Sequence, residues 1–300
     1  MRTITPVLFL FLYTYAHAQY LEIGATGGAS MYKGDLTSTL LKLDETHLAT
    51  GVFTKYNFNP YFSLKASVQQ GKISAADSNS TDAWRQRRNL SFQSSLLEAS
   101  LSGELNLRAY TPHNRKNIFT PYAFLGIGIY HFNPQALYNG IWYELQPLGT
   151  EGQGTTAYPD REKYKLTQIA IPGGIGIKGA MSREWTIGFE IGWRKTFNDY
   201  LDDVSSTYVE QDILEGENGE LSWELSNRMD ETPEGMYLQP GDDRHRGDSH
   251  NLDWYLFSGV AVSYNFNLLG WEYKYTNRAG GKYKGFKYRD KKLNCPGNLN

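Results

Sequence analysis

The side chains able to do chemistry in this chain are few and scattered. Beyond the first eighteen residues the histidines are His47, His113, His131, His245 and His250. Hydrolysis needs an activated nucleophile with a base in reach, or two carboxylates with a bound water. No spacing in the sequence fixes a serine beside a histidine. His131 falls at the outer end of an expected strand, where a lipid-facing catalytic histidine would stand. His245 and His250, within DDRHRGDSH, are five residues apart in a loop, which is weak metal-ligand spacing. The RGD at 246–248 is a three-residue string of the kind that arises by chance. No catalytic residue, metal or cofactor is therefore expected. The single cysteine, Cys295, excludes a disulfide framework and a cysteine-rich metal site.

Charge is distributed more tellingly. The chain nets −2 over 300 residues, which makes no case for nucleic acid. Residues 200–252 hold fourteen Asp and Glu against three arginines, a net of −11. Such a loop can simply stay solvated, collect calcium, or meet a partner with a basic face. At its start, in DYLDDV, Asp199, Asp202 and Asp203 are expected to order the loop base by capping backbone N–H groups, or by holding a cation. Residues 268–300 are the opposite: eight bases against two acids, a net of +6. There Lys282, Lys284, Lys287 and Arg289 alternate with aromatics in a pattern suited to an acidic protein face. Cys295 lies in the same segment and either stays free or pairs between chains.

The elements that must position these groups read as strands. In WTIGFEIGW, residues 185–193, Trp185, Ile187, Phe189, Ile191 and Trp193 share one side and Thr186, Gly188, Glu190 and Gly192 the other. Indoles at both ends of the apolar side suit the two interfaces of a bilayer, and Trp254 is placed similarly on the last strand. Nine tilted strand residues cover ~20 Å of membrane normal, close to the apolar band of a transmembrane barrel. Eight such segments follow one another, at about 20–31, 48–57, 61–72, 91–109, 118–132, 164–180, 185–193 and 253–266. Fourteen per cent aromatic residues and 30 glycines fit this class better than a helical one.

Short connections (58–61, 110–117, 181–184) alternate with long ones (32–47, 73–90, 133–163, 200–252), the outer-membrane pattern of short periplasmic turns and long extracellular loops. The expected fold is all-β: an eight-stranded antiparallel transmembrane β-barrel with long extracellular loops and a C-terminal periplasmic tail. Arg2, a short apolar run and Ala16-His17-Ala18 read as a signal peptide over 1–18. The barrel is then 19–267 and the basic periplasmic tail 268–300. A lumen of eight strands is nearly filled by side chains. The inward set (Glu22, Lys55, Lys65, Glu98, Glu104, Arg108, Lys178, Glu190 and Arg194) is expected to pair into a polar plug.

Three stretches resemble a known family: GGASMYKGDL (27–36), TFNDYLDDVSSTY (196–208), and RGDS (246–249) through DWYLFSGVAVSYNF (253–266). They look like the PorG-like outer-membrane barrels of the Bacteroidota. The resemblance implies a non-enzymatic component of the type IX protein secretion system that links the outer membrane to a periplasmic ring of PorK-like and PorN-like proteins. It transfers no catalytic residue. Expected partners are thus outer-membrane lipid and the ring proteins, without nucleic acid. The rival function is a stand-alone surface barrel whose acidic loops bind a ligand or ion, and the third is a lipid-modifying outer-membrane enzyme.

Overall fold

The computed structural model describes residues 20–37, 42–112, 117–232 and 245–266. In chain order its strands are β1 (Tyr20–Lys33), β2 (His47–Asn57), β3 (Phe62–Ala76), β4 (Ser91–Asn106), β5 (Phe119–Tyr138), β6 (Ile141–Glu144), β7 (Thr167–Ala180), β8 (Trp185–Thr196) and β9 (Trp254–Phe266). All pair antiparallel. The β1–β9 and β4–β5 ladders close eight of them into a barrel with no free edge. Closure satisfies every wall strand on both sides, which a hydrocarbon surround demands.

Alternation sets the two faces of the wall. Trp185, Ile187, Phe189, Ile191 and Trp193 are exposed, whereas Thr186, Glu190, Gly192 and Arg194 are buried. Leu97, Leu101 and Leu105 lie outside on β4, with Glu98, Ser102 and Glu104 inside. The wall is thus apolar outward and polar inward, the reverse of a soluble protein. β5, whose sides are hard to separate in the sequence, turns Leu125, Ile127 and Ile129 out and Tyr122, Phe124, Tyr130 and Phe132 in. Small inward residues make room for these rings: a Cβ on Gly176 would run into the Tyr122 ring.

The short-turn end is held by side-chain caps. Asn59 Oδ1 accepts from the N–H groups of Tyr61 and Phe62, both at 2.8 Å, and Ser182 Oγ accepts from Glu184 and Trp185 N–H, both at 3.1 Å. One inward assignment fails here. Arg108 is exposed, because β4 ends at Asn106 and strand parity does not extend past the last ladder pair.

The long-loop end carries structure that alternation does not reveal. β5 continues six residues past the expected end at 132 and turns back as β6 through Asn139-Gly140, both at positive φ (49° and 81°). That is the primed two-residue hairpin turn favoured by Asn-Gly. The loop between β3 and β4 holds α1 (Ala83–Arg88), whose first N–H groups are capped by Asp82. The β8–β9 loop holds α2 (Gln211–Asn218) and α3 (Glu220–Ser226). Together with the upper strands these loops bury a continuous apolar cluster that includes Leu36, Ile73, Leu96, Phe132, Leu145, Leu201, Val204 and Leu225.

Candidate functional site

Two polar assemblies occupy the axis of the molecule. The lower one fills the lumen. Lys55 Nζ lies 2.8 Å from Glu104 Oε2 and 3.7 Å from Glu22 Oε2, and Lys178 bonds the other oxygen of Glu104. Lys65 reaches Glu190 at 2.7 Å, and Arg194 Nε reaches Glu98 Oε2 at 2.9 Å. Tyr122 and Tyr255 donate to Glu190 and Glu98, each at 2.8 Å. Four cations thus face four carboxylates, all buried, drawn from β1, β2, β3, β4, β7 and β8. Burying one such charge alone would cost several kcal/mol, so the set is mutually dependent.

The upper assembly is a cap at the base of the long loops. Tyr32, at the top of β1, donates to Asp202 Oδ2 at 2.5 Å and stands 3.0 Å from Asp253 Oδ1. Asp253 Oδ2 in turn accepts from Leu201 N–H at 2.8 Å, and Asp202 Oδ1 from Val204 N–H at 3.0 Å. Asp203 adopts φ of 66°, a left-handed conformation that Asp tolerates, and accepts from Tyr164 at 2.7 Å and from Thr150. Arg246 is 2% exposed. It contacts Glu151 at 3.0 Å and Asp203 at 3.7 Å, and donates to the carbonyls of Asp203 and Ser226. Glu151 also accepts from Ser205 N–H, Ser206 N–H and Ser206 Oγ. Arg88, paired with Asp77 at 2.7 Å, donates to the carbonyls of Arg246 and Asp35 and so links α1 to the same cap.

The arginine of the RGD string is therefore internal. Gly247 is tight as well: an added Cβ would meet Asp35 Oδ2 at 2.5 Å and Ser205 N at 2.6 Å. Asp248 N–H is held 3.1 Å from both Asp35 carboxylate oxygens. The side chain of Asp248 is half-exposed, but an arginine buried this fully offers no RGD loop to a surface receptor.

Burial sets the acid–base character of the cap. It raises the carboxyl pKa of Asp203 to about 6, although Arg246 and two hydroxyl donors oppose the rise. Asp199, also buried, is pushed up to about 7, and Asp35 to about 6. Asp202 and Asp253 are raised further by burial and by neighbouring carboxylates. The cap holds more carboxylates than arginines, and its environment favours protons on the excess.

Other groups fall apart from one another. His131 faces outward and its Nδ1 meets Thr167 Oγ1 at 3.0 Å. Among the described residues His47 Nε2 meets Ser74 Oγ at 2.6 Å, a serine–histidine contact that the sequence spacing does not indicate. Among the described residues no carboxylate is bonded to that ring. His245 pairs with Thr207 in an isolated bridge while His250 is exposed on its loop. No group of three or more His, Cys, Asp or Glu among the described residues is arranged to hold a metal. Trp185 and Trp193 are exposed at opposite ends of β8, and Trp254 lies half-buried on the wall at the long-loop rim. Lys282, Lys284, Lys287, Arg289 and Cys295 lie outside the described residues, as does the 1–18 segment.

A closed antiparallel barrel of eight strands, apolar outside and ion-paired inside, defines a transmembrane β-barrel of the outer-membrane class. The chain belongs to the family described as a domain of unknown function, DUF6089, whose model matches residues 1–222. No functionally curated protein matches it. Among solved structures it is similar to Ail, the attachment invasion locus protein of Yersinia pestis, at 11% identity over 83% of this chain and 99% of that one, with a TM-score of 0.39. OprG of Pseudomonas aeruginosa has 9% identity, 83% and 96% coverage and a TM-score of 0.39. Neisserial surface protein A has 8% identity, 82% and 97% coverage and a TM-score of 0.38. The barrel assignment rests on the strand pairing of this chain rather than on those likenesses.

Proposed function

We propose that the protein is a non-enzymatic outer-membrane barrel that anchors a type IX protein secretion assembly, with its long loops outside the cell and its short turns in the periplasm. The observation that carries the reading is where the resembling stretches fall. GGASMYKGDL supplies Tyr32 and Asp35, TFNDYLDDVSSTY supplies Asp199 to Ser206, and the third stretch supplies Arg246 and Asp253, so three distant segments meet in one cap. A lumen crossed by ion pairs suits an anchor better than a conduit. In this reading the basic segment 268–300, through Lys282, Lys284, Lys287 and Arg289, docks on a PorK-like and PorN-like periplasmic ring, and Cys295 is able to form a mixed disulfide with it.

Purification of the full chain from native membranes in mild detergent tests the proposal. Ring proteins should accompany it in stoichiometric amount. Truncation after Asn267 should abolish that association while leaving the barrel folded, and Cys295→Ser should remove any non-reducing band shift. A barrel that purifies alone under conditions that keep the ring intact refutes the secretion role. It would favour a stand-alone surface barrel, for which the exposed acids Asp212 and Glu220 at the starts of α2 and α3 provide the contact chemistry.

A further inference from the structure

The lipid-facing side of the wall carries a charge asymmetry. Among the described residues, no Asp or Glu points outward on the eight barrel strands; Glu22, Glu98, Glu104 and Glu190 are all internal. The outward lysines are Lys33 near the end of β1, Lys72 on the upper part of β3, and Lys195 near the end of β8, and all three are exposed. Every one lies towards the long-loop end. A lysine on the lipid face costs ~2–4 kcal/mol at the midplane and little near an interface, so their shared level marks a headgroup zone.

Two of them converge. In the strand register Lys33 is opposite Trp254, and Trp254 is opposite Lys195. The lysines therefore flank one indole, each a single strand spacing of about 4.8 Å from it. Lys195 Nζ lies 5.9 Å from the centre of the Trp254 ring. One residue pair further down β8, Trp193 is exposed to the bilayer. Two flexible ammonium groups beside an interfacial indole, with no carboxylate in their row, make a receptor for a phosphate carried on a membrane-embedded lipid.

We propose that Lys33, Trp254 and Lys195 form a binding site for a phosphorylated lipid headgroup of the outer leaflet. The inference rests on the orientation given above, long loops outside. The lysines grip the phosphate and the indole packs against the headgroup, while the acyl chains lie along the apolar wall below. Lys72 is turned towards Gln93, 3.3 Å away, and stands apart from this row.

Native mass spectrometry of the full chain in micelles doped with bisphosphorylated or dephosphorylated lipid A tests the site without reference to any ring protein. The parent should retain the bisphosphorylated form selectively, and inorganic phosphate at the same concentration should not displace it. At ~1 kcal/mol per lysine near an anionic surface, Lys33→Gln with Lys195→Gln should weaken retention about thirtyfold. Lys72→Gln should change it less than threefold. Equal retention of both lipids by the parent overturns the proposal without any variant. So does unchanged retention by the double variant when its heat-modifiable gel shift shows a folded barrel. Displacement by inorganic phosphate would show an adventitious anion site instead.

Discussion

Arg246 is the residue whose removal most directly tests the cap. It is buried against Glu151 and Asp203, and its side chain also satisfies two carbonyls. Breaking a buried pair by deleting one partner costs ~3–5 kcal/mol because the other charge is left without compensation. Both stranded carboxylates keep other donors here. Glu151 retains Ser205 and Ser206, and Asp203 retains Thr150 and Tyr164. The lower end, ~3 kcal/mol, is therefore the expected loss for Arg246→Ala, a roughly hundredfold rise in the open cap. None of these partners belongs to a wall strand, so the barrel should remain closed. Limited proteolysis of the folded protein should cut within 200–252 roughly a hundredfold faster, with heat-modifiable migration unchanged. Adding Asp203→Asn should recover part of the loss by removing a buried charge. Cleavage within threefold of the parent would mean that Arg246 does not hold the cap, and a lost gel shift would mean that cap and barrel are one cooperative unit.

Three further outcomes follow from the same geometry. Ile191→Arg places a charge on the lipid face and should cost ~2–4 kcal/mol, whereas a side chain at Gly188 meets the carbonyl of Ile177 at 2.9 Å and acts by crowding; urea titration followed by gel shift separates the two. Arg194→Leu leaves Glu98 buried with Tyr255 as its remaining donor, so ~3–5 kcal/mol should be lost in the same titration, while planar-bilayer recordings of the parent should show no large steady conductance. The cap should also loosen as pH rises. The folded carboxyl of Asp203 holds its proton to about 6 against an ordinary 3.8, so the native state binds more protons between those values and stability falls with increasing pH. The share of Asp203 is ~3 kcal/mol, lost from near pH 4 to about pH 7, and the raised carboxyls of Asp199 and Asp35 act in the same direction. Proteolysis at 200–252, corrected for intrinsic enzyme activity, should be faster at pH 8 than at pH 5, and Asp203→Asn should weaken that dependence without abolishing it, since Asp199 and Asp35 remain. A rate that falls with pH would reverse the sign and refute the burial argument.

What could be read in the sequence divides along the physics of periodicity. The period-two pattern of β8 is imposed by a wall with lipid on one side and polar filling on the other, so inside and outside follow from the residues alone. The pairing of Lys65 with Glu190, 125 positions apart, needs barrel closure and is legible only as a rule that buried charges must find partners. The cap obeys no period. Arg246 sits in an acidic, polar stretch whose composition suggests solvent, yet Asp203, Glu151 and two carbonyls bury it. The extension of β5 is signalled locally by Asn139-Gly140, the strongest short hairpin signal, whereas apolar alternation weakens beyond Phe132. α2 and α3 were hidden differently, since a helical hairpin held down by Leu214, Trp223 and Leu225 needs few apolar residues.

The resembling stretches acquire a physical meaning from this arrangement. Tyr32 holds Asp202 and Asp253 by hydrogen bonds, and Arg246 holds Asp203 by an ion pair, so changing any of these five strands a buried polar partner elsewhere. A signature made of such residues reports that the cap is built, whatever the barrel serves. In the proposed reading, partner choice belongs to surfaces outside the cap: the outward lysine row, the solvent faces of α2 and α3, and the basic residues of 268–300. A variant that loses partners while keeping a protease-resistant cap would locate recognition in those surfaces. Loss of partners only in variants whose cap has opened would instead make the cap itself the contact.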